Sequence, residues 1–581
     1  MKKSYIALLS IFVSVGLIAT SSAAINSVGD PGRSWAQPDD GVLGEHIQQF
    51  IDAAPNDIPS YLVLETNGQL VTQDPTCKSI DDPKCVGKNL NFNAILPRCT
   101  DDADINCTVD VGTITEDGVK TSALFTRYFP EHAQNEYVGN PSRGLPSGVA
   151  GSVYSMPNAP HDGGDKYFVS VLIRGGVSAD GKVWTSGLEV RINPVAFETS
   201  GYFSHSSEQR DSGWAQITDQ NTGLVRWGIQ ASGYSGNQYC VANSWRENSC
   251  AQKYAFPADT RYYVTIRVSD APGGWMHGRI SSPDIQITAG AKSSTLEFRG
   301  NPIAVPTVYK MYKYPEMPDA LKELYDVVKG GYKRSPWCVS SPGYCAGGRS
   351  GPSTDPMNRN VIISPDPWDP YGMEQLKIWL PYVNDKATAL PSFWSVRTLS
   401  GDEMSGASRC FSDTSKITGI VTTNSTQYSA GPPSFDKSEG TLNYQVASPH
   451  FGTTGEVFKG SYDLVMRSDV ARCVYGFSKA PIQATLSITS ADGSPQLATT
   501  VIGERNGWLY LTAKNFEFSA PTIRAKLSQE APAPTPTPSP QATTQPQAGK
   551  AAITITCVKG KSKKKVTAVN PKCPTGYKKA A

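Results

Sequence analysis

Apolar and polar positions alternate along much of this chain. In Arg261-Tyr-Tyr-Val-Thr-Ile-Arg-Val268, Tyr262, Val264, Ile266 and Val268 share one face and Tyr263, Thr265 and Arg267 the other, which predicts a half-buried strand. Tyr167-Phe-Val-Ser-Val-Leu-Ile-Arg174 is followed by the turn Ser178-Ala-Asp-Gly181 and a further strand, Gly187-Leu-Glu-Val-Arg-Ile192. A second cluster from Ile417 to Leu527 holds Ala484–Ser490, the turn Ala491-Asp-Gly-Ser494, Thr499–Gly503 and Gly507–Thr512. Turns spaced about ten residues apart predict antiparallel sandwiches. The expected fold class is therefore mainly β, with two antiparallel β-sandwich-like domains and a few short helices.

Helical periodicity is confined to two stretches. Pro318 opens a segment with Leu321, Leu324, Tyr325 and Val328 on one side and Gly330 as a stop, which predicts an amphipathic helix over 318–329. Leu43, Ile47, Phe50 and Ile51 predict a shorter one from Gly44 to Ala53, with His46 on its surface. Strand-rich sequence gives way to Pro-rich chain between Ser294 and Pro306. One β domain is thus expected over 25–300 and a second over 301–530, with a loop-rich insertion at 331–371.

Both ends depart from this pattern. Lys2 and Lys3, the apolar run Ile6 to Ile18 and the small residues Ser21 to Ala24 have the three-part form of a secretory signal peptide over 1–24. No later stretch approaches the roughly 20 apolar residues of a spanning helix. Residues 531–550 are a Pro/Thr-rich linker, expected as a polyproline II stalk rising about 3.1 Å per residue. Residues 551–581 form a short basic tail.

Twelve cysteines fall into six neighbouring pairs: Cys77 with Cys85, Cys99 with Cys107, Cys240 with Cys250, Cys338 with Cys345, Cys410 with Cys473, and Cys557 with Cys573. Their spacing lacks zinc knuckles, so local disulfides in an oxidising compartment are expected.

The near-neutral total hides an asymmetry. Of 54 basic residues two lie in the leader and nine are lysines from Lys550 onward, leaving 43 against 52 acidic residues in the body. The tail carries Lys559, Lys561, Lys563, Lys564, Lys565, Lys572, Lys578 and Lys579 with no acidic side chain. That charge calls for an anionic partner, such as wall glycopolymer, peptidoglycan carboxylates or lipid headgroups, rather than nucleic acid for an exported chain.

The stretch Ile555-Thr-Cys-Val-Lys-Gly-Lys561, with Lys564-Lys-Val-Thr-Ala-Val-Asn-Pro-Lys-Cys-Pro-Thr-Gly-Tyr-Lys-Lys579, resembles the C-terminal tail of a group of exported, mostly uncharacterised actinobacterial surface proteins. Gly273-Gly-Trp-Met-His-Gly-Arg279 and the segment Phe458 to Phe477 are similar to pieces of the same group. The resemblance implies a secreted or cell-wall-associated location and carries no mechanism.

Catalytic motifs are missing: no G-x-S-x-G, H-E-x-x-H, Walker A or dinucleotide fingerprint occurs. Ser235 and Ser350 read as turn residues, and His132, His161, His205 and His450 lie in loop-like stretches. Asp101, Asp102 and Asp104, or Asp162 and Asp165, have the oxygen chemistry of calcium ligands without EF-hand spacing, so solvated turns are the plainer reading and no cofactor is expected. Trp275, His277 and Arg279 share one face of a strand, a set that would hold a sugar ring or an anion; a Trp buried in a sandwich is the competing reading. Trp368, between two prolines, is a second platform candidate, whereas Trp379 and Trp394 read as core. The expected function is a non-catalytic envelope protein that binds glycan, wall polymer or another surface protein through its β domains and is retained by its tail. The alternative is an exported hydrolase acting on polysaccharide or peptide.

Overall fold

The computed structural model describes residues 44–52, 59–66, 71–198, 213–218, 223, 225–230, 240–244, 246–270, 272–326, 331–332, 355, 357, 361–478, 482–490, 494–496, 499–518, 521–529 and 552–580. The signal peptide, the Pro/Thr linker, Ser235, His205, Ser350, Cys338 and Cys345 lie outside these residues. The protein is mainly β with few short helices. It divides into two compact units, a body ending at Ser528 and a unit from Gln529 to the end of the chain.

One central sheet organises the body. Its strands run in the spatial order Tyr61–Leu64, Leu90–Ile95, Lys166–Val177, Val183–Glu198, Ser392–Thr398, Gly274–Ala289, Ile417–Thr423, Lys459–Arg467, Trp508–Glu517 and Thr499–Arg505. Neighbours are antiparallel except where Gly274–Ala289 meets Ile417–Thr423. Ser392–Thr398 therefore sits between two strands of the first half of the sequence. The division expected at 300/301 falls inside the continuous strand Ser294–Ala304, so the two halves share one sheet.

Each face of that sheet covers a different core. Leu188, Val190, Ile192, Trp394, Val396 and Met276 point to one side and pack against Val111, Tyr262, Val264, Leu296 and Phe298. Those partners belong to a second sheet of Cys107–Ile114, Tyr262–Val268 and Ser294–Ala304. The strand Gly274–Ala289 passes from the first sheet to the second at a register shift between Ser281 and Asp284, where Ser282 adopts a φ of 51°. On the opposite face Val421, Leu464, Met466, Leu509 and Leu511 pack against Leu442, Tyr444, Ile482, Ile523 and Ala525. These come from a third sheet that includes Thr441–Ala447, Ile482–Thr489 and Thr522–Gln529.

Several expectations need correction. Tyr262–Val268 is buried on both faces, with only Arg267 half-buried, because another sheet strand flanks it on either side and the outer face is covered too. Glu45–Phe50 is a strand, not a helix: it pairs antiparallel with Val308–Lys313 and parallel with Val361–Ile363, and His46 is buried within it. The helix expected over 318–329 shrinks to Asp319–Lys322, and the chain is extended again at Tyr325–Asp326, which pairs with Gly331–Tyr332. The longer helices are Pro370–Trp379 and Ser468–Tyr475. Asp369 caps the first, accepting from the Tyr371 N–H at 2.8 Å, with Pro370 at the first helical position. The Asp-Pro-Trp-Asp-Pro stretch is thus a helix start rather than a free loop.

Disulfides join Cys77–Cys85, Cys99–Cys107, Cys410–Cys473 and Cys557–Cys573. Cys250 is disulfide-bonded as well. No helix among the described residues is long and apolar enough to cross a membrane.

Candidate functional site

Two places carry unusual chemistry. The first is a charged layer on the central sheet. Alternation puts Leu188, Val190 and Ile192 into one core and leaves Glu189, Arg191 and Asn193 on the other face. The same parity places Arg397 and Ser395, and His277 and Arg279, on that face. Register then aligns them in rows: His277, Arg397 and Glu189 lie side by side across three strands, and Arg279, Ser395 and Arg191 form the next row.

Loops from elsewhere close over this layer. Tyr428, on the short strand Gln427–Tyr428, stacks on His277 with ring centroids 3.9 Å apart, and the Arg279 guanidinium lies 4.8 Å from the same ring. The Tyr428 N–H donates to the Pro367 carbonyl at 2.9 Å, tying this cover to the 366–370 loop. Arg279 pairs with Asp52 and donates through Nη1 to the carbonyls of Thr423 and Ser425 at 2.7 and 2.8 Å. Arg397 donates to both carboxylate oxygens of Glu403 at 2.7 Å and to the Tyr428 hydroxyl at 3.2 Å. Glu189 accepts from Arg174 at 3.1 Å and pairs with Arg191.

These neighbours set the charge states. Burial, then the cations Arg279 and Arg397, pushes the His277 pKa well below the usual imidazole range, so the ring is neutral. Burial works against ionisation of Glu189, but Arg191 and Arg174 outweigh it and hold the carboxyl below its ordinary value.

Within the layer is a cavity of about 50 Å3, lined by Asp52, Glu189, Arg191, Lys253, His277, Arg279, Arg397 and Tyr428 among others. A broader cleft of about 530 Å3 opens elsewhere on the body, with Asn301, Asn424, Phe458, Lys459, Lys514 and Asn515 in its wall. Its amides and cations stiffen that wall: Asn424 accepts from the Ser461 N–H at 2.8 Å and donates to the Lys459 carbonyl at 3.0 Å, and Lys459 pairs with Glu517 at 2.7 Å.

The second place is the C-terminal unit. Ile553–Lys559 forms the centre of a three-stranded sheet, flanked by Ser562–Ala568 and Lys578–Lys579. Cys557 is fully buried and bonded to Cys573. Lys563 and Lys578 lie either side of Val558 on one face, and Lys564 and Lys579 either side of Cys557 on the other. Strands are about 4.8 Å apart, so each pair spans roughly 10 Å. All eight tail lysines named above are exposed.

The structure redistributes the candidates read from sequence. Trp275, His277 and Arg279 do share a face, but all three are buried; Trp275 packs against Phe411 in the core and offers no platform. Trp368 is half-buried against the same core. Trp379 and Trp394 are core residues, the latter donating its indole N–H to the Gly300 carbonyl at 2.9 Å. Asp104 turns its carboxylate onto the Thr100 and Asp101 N–H groups at 2.7 and 2.8 Å, and Asp165 is engaged by Ser155 and Lys166. Among the described residues no group of three or more His, Cys, Asp or Glu is placed to hold a metal. Glu189, Arg191, Arg397, Glu403 and Tyr428 were not anticipated. The one sequence signal was the pair of charges inside the otherwise apolar strand Gly187-Leu-Glu-Val-Arg-Ile192.

No protein-family model matches this chain, and no curated protein matches it.

Proposed function

We propose that this is a secreted, cell-envelope-associated protein whose basic C-terminal unit binds anionic polymer and retains the β body at the surface. One observation carries the reading: eight lysines stand exposed on and around a small disulfide-closed sheet that contains no acidic side chain. Such a sheet has no acidic side chain of its own to balance the lysines. It attracts any polyanion that can wrap it, and its two charged faces suit a flexible polymer better than a discrete ligand. Disulfides in both units suit an oxidising compartment.

The body is then the part displayed. Its 530 Å3 cleft, with a stiff wall of amides, lysines and Phe458, supports binding of a glycan or wall polymer. Isolated Gram-positive walls and a glycan array, probed with the full chain and with a chain ending at residue 530, test both halves of the reading. Retention on walls should fall sharply on truncation while glycan selectivity persists. Undiminished wall retention by the truncated chain would remove the tether role.

A further inference from the structure

The two faces of the C-terminal sheet are unlike. Alternation along Ile553–Lys559, with the register of its neighbours, puts Thr554 beside Thr567, Thr556 beside Lys565, and Val558 between Lys563 and Lys578, all on one face. Cys557 and Lys559 belong to the other, with Lys564 and Lys579 beside Cys557. Three contacts bring the 573–577 segment onto that second face. Cys573 is bonded to Cys557, the Tyr577 and Ser562 hydroxyls lie 3.5 Å apart, and a Cβ on Gly576 would stand 3.1 Å from the Lys559 Nζ. Cys557 is buried as a result. On the first face Thr554, Lys563, Lys565, Thr567 and Lys578 are all exposed, with Thr556 and Val558 half-buried between them.

We propose that this open face is the polymer-binding surface of the unit, and that its ligand is a linear phosphodiester polymer of polyol units. The assignment rests on the tether reading and narrows it to one face and one chemistry. Lys563 and Lys565 stand about 7 Å apart along their strand, and Lys563 and Lys578 roughly 10 Å apart across the sheet. A lone anion reaches one of these ammonium groups at a time, whereas a chain with repeated charges reaches several. Residues 552–580 contain no arginine, so the face lacks the planar fork that grips a carboxylate through two bonds. Ammonium groups act as point charges and suit the single charge of each phosphodiester. Threonine hydroxyls add donors for phosphate oxygens and partners for polyol hydroxyls. Thr554 and Thr567 bond to each other at 2.7 Å, which leaves one hydroxyl proton of the pair for a ligand. Tyr577, the one aromatic residue of 552–580, lies with the covered face, so no ring is offered for stacking a nucleic-acid base. Val558 is the one apolar residue in the paired rows of the open face and is half-buried, which leaves little to enter a bilayer.

Fluorescence anisotropy with end-labelled polyglycerol phosphate, polyglutamate and oligothymidylate of matched charge, titrated with the full chain near 0.1 M salt, tests it. Polyglycerol phosphate should bind saturably, and about threefold or more tighter than either of the others. Glycerol 3-phosphate, as competitor, should bind about a hundredfold or more weakly than the polymer, because it engages one lysine at a time. Two triple variants then separate the faces: Lys563→Gln, Lys565→Gln and Lys578→Gln on the open one, and Lys559→Gln, Lys564→Gln and Lys579→Gln on the covered one. Each loses three charges, so long-range attraction falls alike in both, and the dispersion of the unit's amide resonances reports that each still folds. The open-face variant should bind polyglycerol phosphate about tenfold or more weakly than the covered-face variant. Equal losses in the two variants overturn the face assignment while leaving the tether intact. Polyglutamate or oligothymidylate bound as tightly as polyglycerol phosphate overturns the choice of polymer. Failure of the parent chain to bind any of the three polymers removes the tether itself.

Discussion

His277 and Tyr428 lie face to face, ring centroids 3.9 Å apart and planes 5° from parallel. The contact is made deep in the body, between two cations, and it has a consequence for pH. Burial, Arg279 and Arg397 hold His277 neutral in the fold, whereas an unfolded chain binds a proton on this ring below its ordinary pKa of 6.5. The unfolded state therefore carries the extra proton between the depressed folded pKa and 6.5, and stability rises with pH across that window. Each pH unit below 6.5 costs up to about 1.4 kcal/mol for this group. His161, shifted down chiefly by burial, adds in the same sense. Urea unfolding at a series of pH values from 7 to 5 should show a shallower slope for His277→Gln, by one proton; an unchanged slope would mean that His277 is charged in the fold.

The Arg397–Glu403 pair predicts a large effect from a small change. Glu403 is 2% exposed, takes both guanidinium bonds, and also accepts from the Ser400 N–H at 3.0 Å. Glu403→Gln keeps the shape and leaves Arg397 with an uncompensated charge, which should cost about 3–5 kcal/mol. Lys84→Met, breaking the exposed pair with Asp74 at 3.1 Å, should change stability by less than about 1 kcal/mol. Denaturant midpoints of the two variants decide whether the charged layer is structural.

Gly419 marks how closely the central sheet and Trp275 approach. A Cβ there would lie 2.4 Å from the indole ring and 2.9 Å from the Val465 carbonyl. Gly419→Ala should lose about 1–3 kcal/mol of stability through overpacking. A variant as stable as the parent would place Trp275 outside the core.

Much of the fold was legible because it depends on local alternation. Lys166–Val177 and Val183–Glu198 are a hairpin turned at Ser178–Gly181, and the partition of Trp275, His277 and Arg279 onto one face follows from parity alone. What parity leaves open is which face is covered. Arg279 finds Asp52 at a sequence distance of 227, and no local signal announces that partner. The same holds for Glu45–Phe50, whose helical spacing is overridden by pairing with Val308–Lys313, some 260 residues away. The Pro-rich stretch near 300 suggests a domain border because local composition changes there. Ser392–Thr398 nevertheless returns to the middle of the first half's sheet, a long-range pairing that composition does not encode.

The C-terminal unit depends on its crosslink. Cys557 is the most buried of its described residues, and a disulfide closing a loop with a sequence separation of 16 contributes roughly 3 kcal/mol, comparable to the whole stability of so small a sheet. Replacing Cys557 and Cys573 with Ser should collapse the dispersion of that unit's amide resonances while leaving the melting of the body unchanged. Retained dispersion would show that the sheet stands without the bridge.

The most direct test of the account is the salt dependence of polyanion binding by the full chain. Polyglutamate should bind firmly near 0.1 M salt, where charges act over about 10 Å, and release near 1 M, where the range falls to about 3 Å. A chain with Lys559, Lys561, Lys563, Lys564, Lys565, Lys572, Lys578 and Lys579 all changed to Gln, its disulfides intact, should not bind at either salt concentration. Binding that survives 1 M salt, or that the eightfold variant retains, would contradict a tether made of charge.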